Sequence, residues 1–353
     1  MGNLRASRRW LDAVLFNNRL NLSVDFFNKN TKNLIKTQDV NWPTTIGIAS
    51  PLINDGQVNN RGLEISALWK DRIGKDIGYY VSANVATLRN RLTNIGAANP
   101  DGSKPVWTYE DDYHYKELTP YRSSEGKPLY SYYLLRTDGV FQTDAEAAAY
   151  VNSNGQRLQP KAKAGDLKFV DIDQNGSIGE GDYEFRGNAM PKMTYAFSAG
   201  FSYKKFSFDF MLQGSYGAKL FNAYKYTTLN EAVGSFNRSE KILKALEGPT
   251  YDVPRISMTD DNDNFGRISD WYLESGSYLR MKNISISYSF SDLLRKLAFF
   301  NQRQSTLDLT LSCDNLFTIT PYSGIDPEVG GVGLDCGQYP VSRTISLGVK
   351  IKF

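Results

Sequence analysis

Ser342-Arg343-Thr344-Ile345-Ser346-Leu347-Gly348-Val349-Lys350-Ile351-Lys352-Phe353 closes the 353-residue chain. From Ile345 onward apolar residues fill the odd positions and polar or small residues the even ones, and the last residue is aromatic. Side chains alternate between the two faces of a strand, so this stretch has one apolar face and one wet face. A tilted strand of about 9–11 residues spans a bilayer's hydrocarbon core. A period-two strand of that length with a final aromatic reads as the end of a bacterial outer-membrane β-barrel. Phe353 is the expected membrane-insertion signal.

Working backwards, the same alternation recurs. It marks Leu307 to Cys313, Ile284 to Phe290, Phe206 to Leu212, Tyr195 to Tyr203, Tyr79 to Val85, Leu63 to Trp69 and Leu20 to Phe26, with a weaker segment from Trp10 to Phe16. With the terminal strand these predict nine strands, each with one wet face. The connections alternate as well. Asn17-Asn18, Asp71 to Asp76, Lys204-Lys205 and Ser291 to Gln304 are short, and the others are long, as in barrels with short periplasmic turns and elaborate outer loops. The expected fold is therefore all-β, an antiparallel transmembrane β-barrel wall of about nine strands with long extracellular loops. Tyr203, Phe206, Tyr216, Tyr288 and Phe290 near the strand ends suit interfacial girdles.

Composition agrees with this reading. Forty-one basic and thirty-eight acidic residues nearly cancel and are scattered, which leaves no footprint for nucleic acid. Mean hydropathy is negative, but a barrel wall alternates membrane and lumen residues, so its average is not that of a membrane helix. Cys313 and Cys336 form no Cys-x-x-Cys pair, and Met1 to Arg9 holds no apolar run of the kind a secretory signal needs. Counted back from Phe353, the first strand starts at the outer side. Single-chain bacterial barrels begin inside and have even strand numbers, so residues 1–353 are expected to be the C-terminal portion of a larger barrel.

Four blocks carry a resemblance. They are Asn17-Asn18-Arg19-Leu20 with Thr31-Lys32-Asn33-Leu34-Ile35; Val58 to Glu64; Gly276-Ser277-Tyr278-Leu279-Arg280-Met281-Lys282-Asn283-Ile284; and Asp314-Asn315-Leu316-Phe317 through Asp326-Pro327-Glu328. In this order, before a terminal Phe, they resemble the SusC/RagA family of TonB-dependent outer-membrane transporters. The resemblance implies import of an oligosaccharide or peptide through a plugged barrel, with a SusD-like surface lipoprotein closing over the outer face. It implies energy from TonB-ExbB-ExbD, reached through an N-terminal part that holds the plug and first strands and is absent from this chain. Outer-membrane lipid is the surrounding partner, and no catalysis is expected.

The outer segment 89–193 holds the sharpest chemical motif, Asp171-Ile172-Asp173-Gln174-Asn175-Gly176-Ser177-Ile178-Gly179-Glu180-Gly181-Asp182. Oxygen donors at positions 1, 3 and 5, Gly at 6, a carbonyl at 7 and a carboxylate at 12 match the needs of Ca²⁺ for six to eight oxygens. Asp171, Asp173, Asn175, Ser177 and Asp182 are the expected ligands, and the alternative is a metal-free Asp-Gly turn. A second cluster, Trp107, Tyr109, Tyr113 and Tyr115, lies among Glu110, Asp111 and Asp112. Rings pack on apolar sugar or peptide faces while carboxylates take hydroxyl or amine protons, so these four are candidate substrate contacts; packing within the loop is the alternative. A soluble or secreted β-sandwich that binds carbohydrate would share the strand pattern. A glycosidase needs two carboxylates fixed across a cleft, and nothing here fixes such a pair.

Overall fold

The computed structural model describes residues 3–37, 52–96, 104–108, 113–234, 236–290 and 306–352. All nine alternating stretches are strands of one sheet: β1 (Asn3–Leu15), β2 (Leu20–Lys32), β3 (Gln57–Ile73), β4 (Ile77–Asn94), β5 (Met193–Tyr203), β6 (Phe206–Tyr216), β7 (Tyr278–Ser289), β8 (Thr306–Asp314) and β9 (Thr344–Lys352). Each pairs antiparallel with the next in sequence, and a short piece, Thr318–Ile319, continues along β7 beyond the end of β8. This is the expected barrel wall. Phe353 and the turn from Ser291 to Gln304 lie outside the described residues.

The register turns alternation into two coherent faces. Leu22, Ala67, Ala83, Phe197 and Leu212 are successive cross-strand partners, and so are Ser23, Ser66, Asn84, Ala196 and Gln213. A slip of one residue in any strand would exchange these rows, so the contrast between faces fixes the pairing. On the apolar face Phe201 meets Phe206 and Phe208 at ring separations of 5.8 and 5.7 Å. Tyr203, Phe206 and Tyr288 form one cross-strand row at the short-turn end, while Tyr216 lies at the other end. This is the placement of interfacial girdles.

Two details differ from the sequence expectation. The first strand starts at Asn3, not Trp10, and its pairing puts Leu11, Ala13 and Leu15 opposite Val24, Leu22 and Leu20. Trp10 and Val14 share the polar face, opposite Asp25 and Asn21. Apolar residues occupy both parities there, so the register with β2 decides the faces and the sequence alone does not. The strands also outrun their apolar stretches, β3 reaching 17 residues and β4 18, because backbone pairing continues regardless of side-chain polarity.

On the polar face Tyr80 of β4 donates to Asp209 of β6 at 2.9 Å, crossing the intervening strand β5. It passes over Gly200, where an added Cβ would lie 2.2 Å from Asp209 Oδ1 and 2.6 Å from Tyr80 Cε1. At the long-loop end, Met211 pairs with Asn283 and Leu212 with Met281, which leaves Lys282 as the extra residue of a bulge.

The buried core lies in the loops. Tyr132, Leu134, Leu167 and Phe169 from the β4–β5 connection pack with Phe221, Phe265 and Tyr272 from the β6–β7 connection, against Val332 and Leu334 from the β8–β9 connection. Tyr132 and Phe221 stack at 6.3 Å, and Phe221 and Tyr272 at 5.0 Å. The Tyr132 hydroxyl lies 3.0–3.2 Å from the carbonyls of Lys219, Val332 and Gly333, so one donor ties all three connections together. Gly333, at φ +82°, permits this approach; a Cβ there would sit 2.6 Å from the hydroxyl. The long loops thus form a folded cap.

Candidate functional site

The Asp171 loop follows the strand Leu167–Phe169 and ends in a single 3₁₀ turn, Glu180–Asp182. Gly176 takes φ +89°, the turn that a cation loop demands at its sixth position. Its amide donates to Asp171 Oδ2 at 2.9 Å, and its carbonyl accepts from Asn152 Nδ2 at 3.1 Å. Asp182 is fully buried and accepts from the amides of Ile172 (2.6 Å), Asp173 (3.3 Å) and Gly179 (2.7 Å). Oxygens of Asp171, Asp173 and Asp182 all lie within 4.8 Å of one another. Three carboxylates this close repel strongly unless a cation sits among them.

Asp171 Oδ1 is buried and has no hydrogen-bond partner among the described residues, so the cluster presents an acceptor with nothing to accept. These features fit a hard divalent cation. Asn175 and Ser177 lie beside these carboxylates and are engaged in hydrogen bonds of their own. The Asn175 amide donates to Asp173 Oδ2 at 2.9 Å, and its carbonyl oxygen accepts from the Ser177 amide and hydroxyl at 2.9 and 2.7 Å.

The aromatic cluster is dispersed. Trp107 is buried with Val58, Leu92 and Ile95 in a small core of its own, its ring occupying the space where a Cβ on Gly56 would stand. Tyr113 meets Tyr130 edge-on at 5.2 Å and Tyr121 at 6.2 Å, and the Tyr115 hydroxyl lies 3.2 Å from Thr227 Oγ1. Packing occupies these three rings. Tyr109 lies outside the described residues.

Two of the four sequence blocks, 276–284 and 314–328, meet at Arg280, a contact the sequence reading missed. Arg280 is 3 % exposed on the polar face of β7. It donates to Thr318 Oγ1 at 2.9 Å and to Asp326 Oδ1 at 2.6 Å, and its remaining nitrogen reaches Glu328. Burial favours the neutral Asp326, but the amides of Glu328 and Val341 and the Arg280 guanidinium hold its carboxyl below the usual range. A single arginine thus clamps the β8–β9 connection to the wall. The visible signal was an Arg in one block and a pair of carboxylates in the other.

A cavity of about 560 Å³ opens in the cap between Lys225, Lys241, Asp252, Trp271 and Glu274. Lys225 is partly buried, sits 4.6 Å over the Trp271 ring and pairs with Glu274 at 2.8 Å. Burial lowers the Lys225 pKa, and Glu274 partly restores it. Burial also works against the Glu274 carboxylate, but Lys225 and Ser323 hold its pKa below the ordinary value. On the polar face of the wall a second cavity, about 400 Å³, is lined by Arg8, Asp25, Glu64, Asn84 and Gln213. Ile65, Val85, Tyr195 and Tyr278 share the lining with these polar side chains.

A wall of this topology with a folded cap agrees with known proteins. The chain is 29 % identical over 362 residues to TonB-dependent receptor P3 of Formosa agariphila, covering 97 % of this chain and 33 % of that receptor. It is 22 % identical over 347 residues to TonB-dependent receptor SusC of Bacteroides thetaiotaomicron, covering 97 % and 31 % respectively. The chain is thus similar to TonB-dependent receptors along nearly its whole length. The chain spans about a third of the length of these curated relatives. The fold matches the RagAB peptide transporter at a TM-score of 0.73 and 24 % identity, over 100 % of this chain and 35 % of that one. It also matches the RagAB peptide importer in its closed-closed state at 0.74. No family model matches the chain.

Proposed function

We propose that these residues form part of the wall and the outer cap of an outer-membrane TonB-dependent importer for oligosaccharides or peptides. The observation that carries the reading is a nine-strand antiparallel meander, apolar on one face and polar on the other, whose long connections fold together at one end. Similarity to TonB-dependent receptors along 97 % of the chain supports it. The cap and a SusD-like surface lipoprotein capture the solute, TonB acts through a plug that these strands surround, and the solute passes along the polar face. The role is transport without chemistry; the curated relatives are named as receptors.

Asp171, Asp173 and Asp182 hold a calcium ion in this reading, supported by their convergence and by the unpartnered Asp171 oxygen. The ion orders the loop and neutralises its carboxylates, at the sub-millimolar to millimolar affinity of extracellular sites, ~10⁻⁴–10⁻³ M. Cell fractionation and uptake test the whole. The receptor carrying this chain is expected to partition with outer membranes, to require detergent for extraction, and to lose uptake when TonB is deleted. Extraction without detergent as a sugar-binding monomer would instead select the soluble sandwich.

A further inference from the structure

Above the apolar band, the same face of the wall turns basic on β1, β3 and β4. The outward residue after Leu63 is Arg61, and its register partner on β4 is Arg89. Arg9 of β1 lies opposite Phe26 at the top of the band. Like charges directly opposite on antiparallel strands are unfavourable. Arg61 and Arg89 are exposed, and neither has an ion-pair or side-chain hydrogen-bond partner among the described residues. Arg8, on the polar face, is by contrast paired with Asp25.

A cavity of about 500 Å³ opens at this place, lined by Arg61, Arg89 and Lys192 together with Phe26, Leu63 and Met190. No carboxylate lines it, whereas Asp25 and Glu64 line the cavity on the polar face. Cations stand at one side and the apolar band continues at the other, so the site fits an anionic head on an apolar body. Guanidinium groups grip phosphate bidentately, and their long stems let the charge rise out of an apolar layer.

We propose that Arg61, Arg89 and Lys192 bind the phosphate groups of a lipid in the leaflet on the long-loop side, with an acyl chain lying against Phe26 and Leu63. The site lies on the apolar face of the wall, which the membrane reading turns to lipid and not to a solute in the lumen. The unfavourable Arg61–Arg89 juxtaposition is relieved when a phosphate bridges the pair. This inference rests on the membrane reading of the wall.

The test uses the detergent-purified receptor that carries this chain, titrated with diphosphorylated lipid A and with the same lipid stripped of both phosphates. Wild type is expected to prefer the phosphorylated form by about tenfold or more. Arg61→Gln/Arg89→Gln should abolish most of that preference and Arg61→Lys/Arg89→Lys keep part of it, while Lys204→Gln, at the opposite end of the wall, leaves it intact. Millimolar inorganic phosphate should not displace the lipid. Equal affinity for the two lipids in wild type, or a preference unchanged in the Gln variant, overturns the proposal. The wild-type comparison decides even if the double variant fails to fold. Density-gradient fractionation separates the two failures: a receptor in outer membranes without a phosphate preference refutes this site alone, and one outside outer membranes refutes the membrane reading and the site with it.

Discussion

Replacing Arg280 by Met should unfasten the cap from the wall while leaving the wall itself paired. Arg280 is almost wholly buried and makes three side-chain contacts, two of them to carboxylates whose side chains are 16 % and 36 % exposed. Breaking a buried ion pair by removing one partner costs ~3–5 kcal/mol, because the other charge is left without compensation. Asp326 and Glu328 keep part of their access to water, so the cost here is smaller, about 2 kcal/mol. At 1.4 kcal/mol per tenfold, that is about a 30-fold rise in opening of the β8–β9 connection. Amide hydrogen exchange on the purified protein measures it: Glu328 and Val341, whose amides donate to Asp326, should lose protection by this factor. Protection of Leu309 and Leu311 within β8 should stay the same. Asp326→Asn in the Met background should add little further loss. Full additivity of the two changes, or unchanged protection at Glu328 and Val341, would refute the clamp.

Three other outcomes are expected. Gly200→Val should displace Tyr80 from Asp209 and cost ~1–3 kcal/mol, the usual range for overpacking, seen as a lower unfolding midpoint; an unshifted midpoint counts against the crossing contact. Calcium between about 0.1 and 1 mM should protect the Asp171 loop from proteolysis in wild type and not in Asp171→Asn, and equal digestion with and without calcium removes the metal reading. Acid should loosen the cap. Glu274 and Asp326 have folded pKa values below their unfolded ones, so the stability they give is present above about pH 4.5 and is lost as pH falls through the lower folded values. Cap proteolysis that stays flat from pH 6 down to about 3 would contradict that assignment.

The wall was legible in the sequence because a period of two survives translation into structure. Each alternating stretch, such as Tyr195 to Tyr203, needs only its own residues to declare its faces. Trp10 and Val14 show where this stops, since a strand with apolar residues on both parities takes its faces from a neighbour. The cap was not legible. Tyr132, Phe221 and Tyr272 stack across connections far apart in sequence, and no local periodicity marks residues that meet only in three dimensions. The convergence of Asp171, Asp173 and Asp182 was legible because all three lie in one contiguous stretch. It gave no sign that Asn175 and Ser177 satisfy each other. Arg280 went unnoticed because its two carboxylate partners are more than forty residues away.

The Tyr132 hydroxyl among three carbonyls bears on the register of the wall beneath it. Phe221 reaches Tyr132 only when β5 and β6 stand in their correct register beside β4, and a slip of two residues would carry it about 7 Å out of place. Such a slip preserves the apolar and polar faces, so the wall alone tolerates it. The cap does not, because its ring stack and shared donor would come apart. The packed cap is therefore compatible with one register only, a constraint on the sheet that the alternation of faces does not supply.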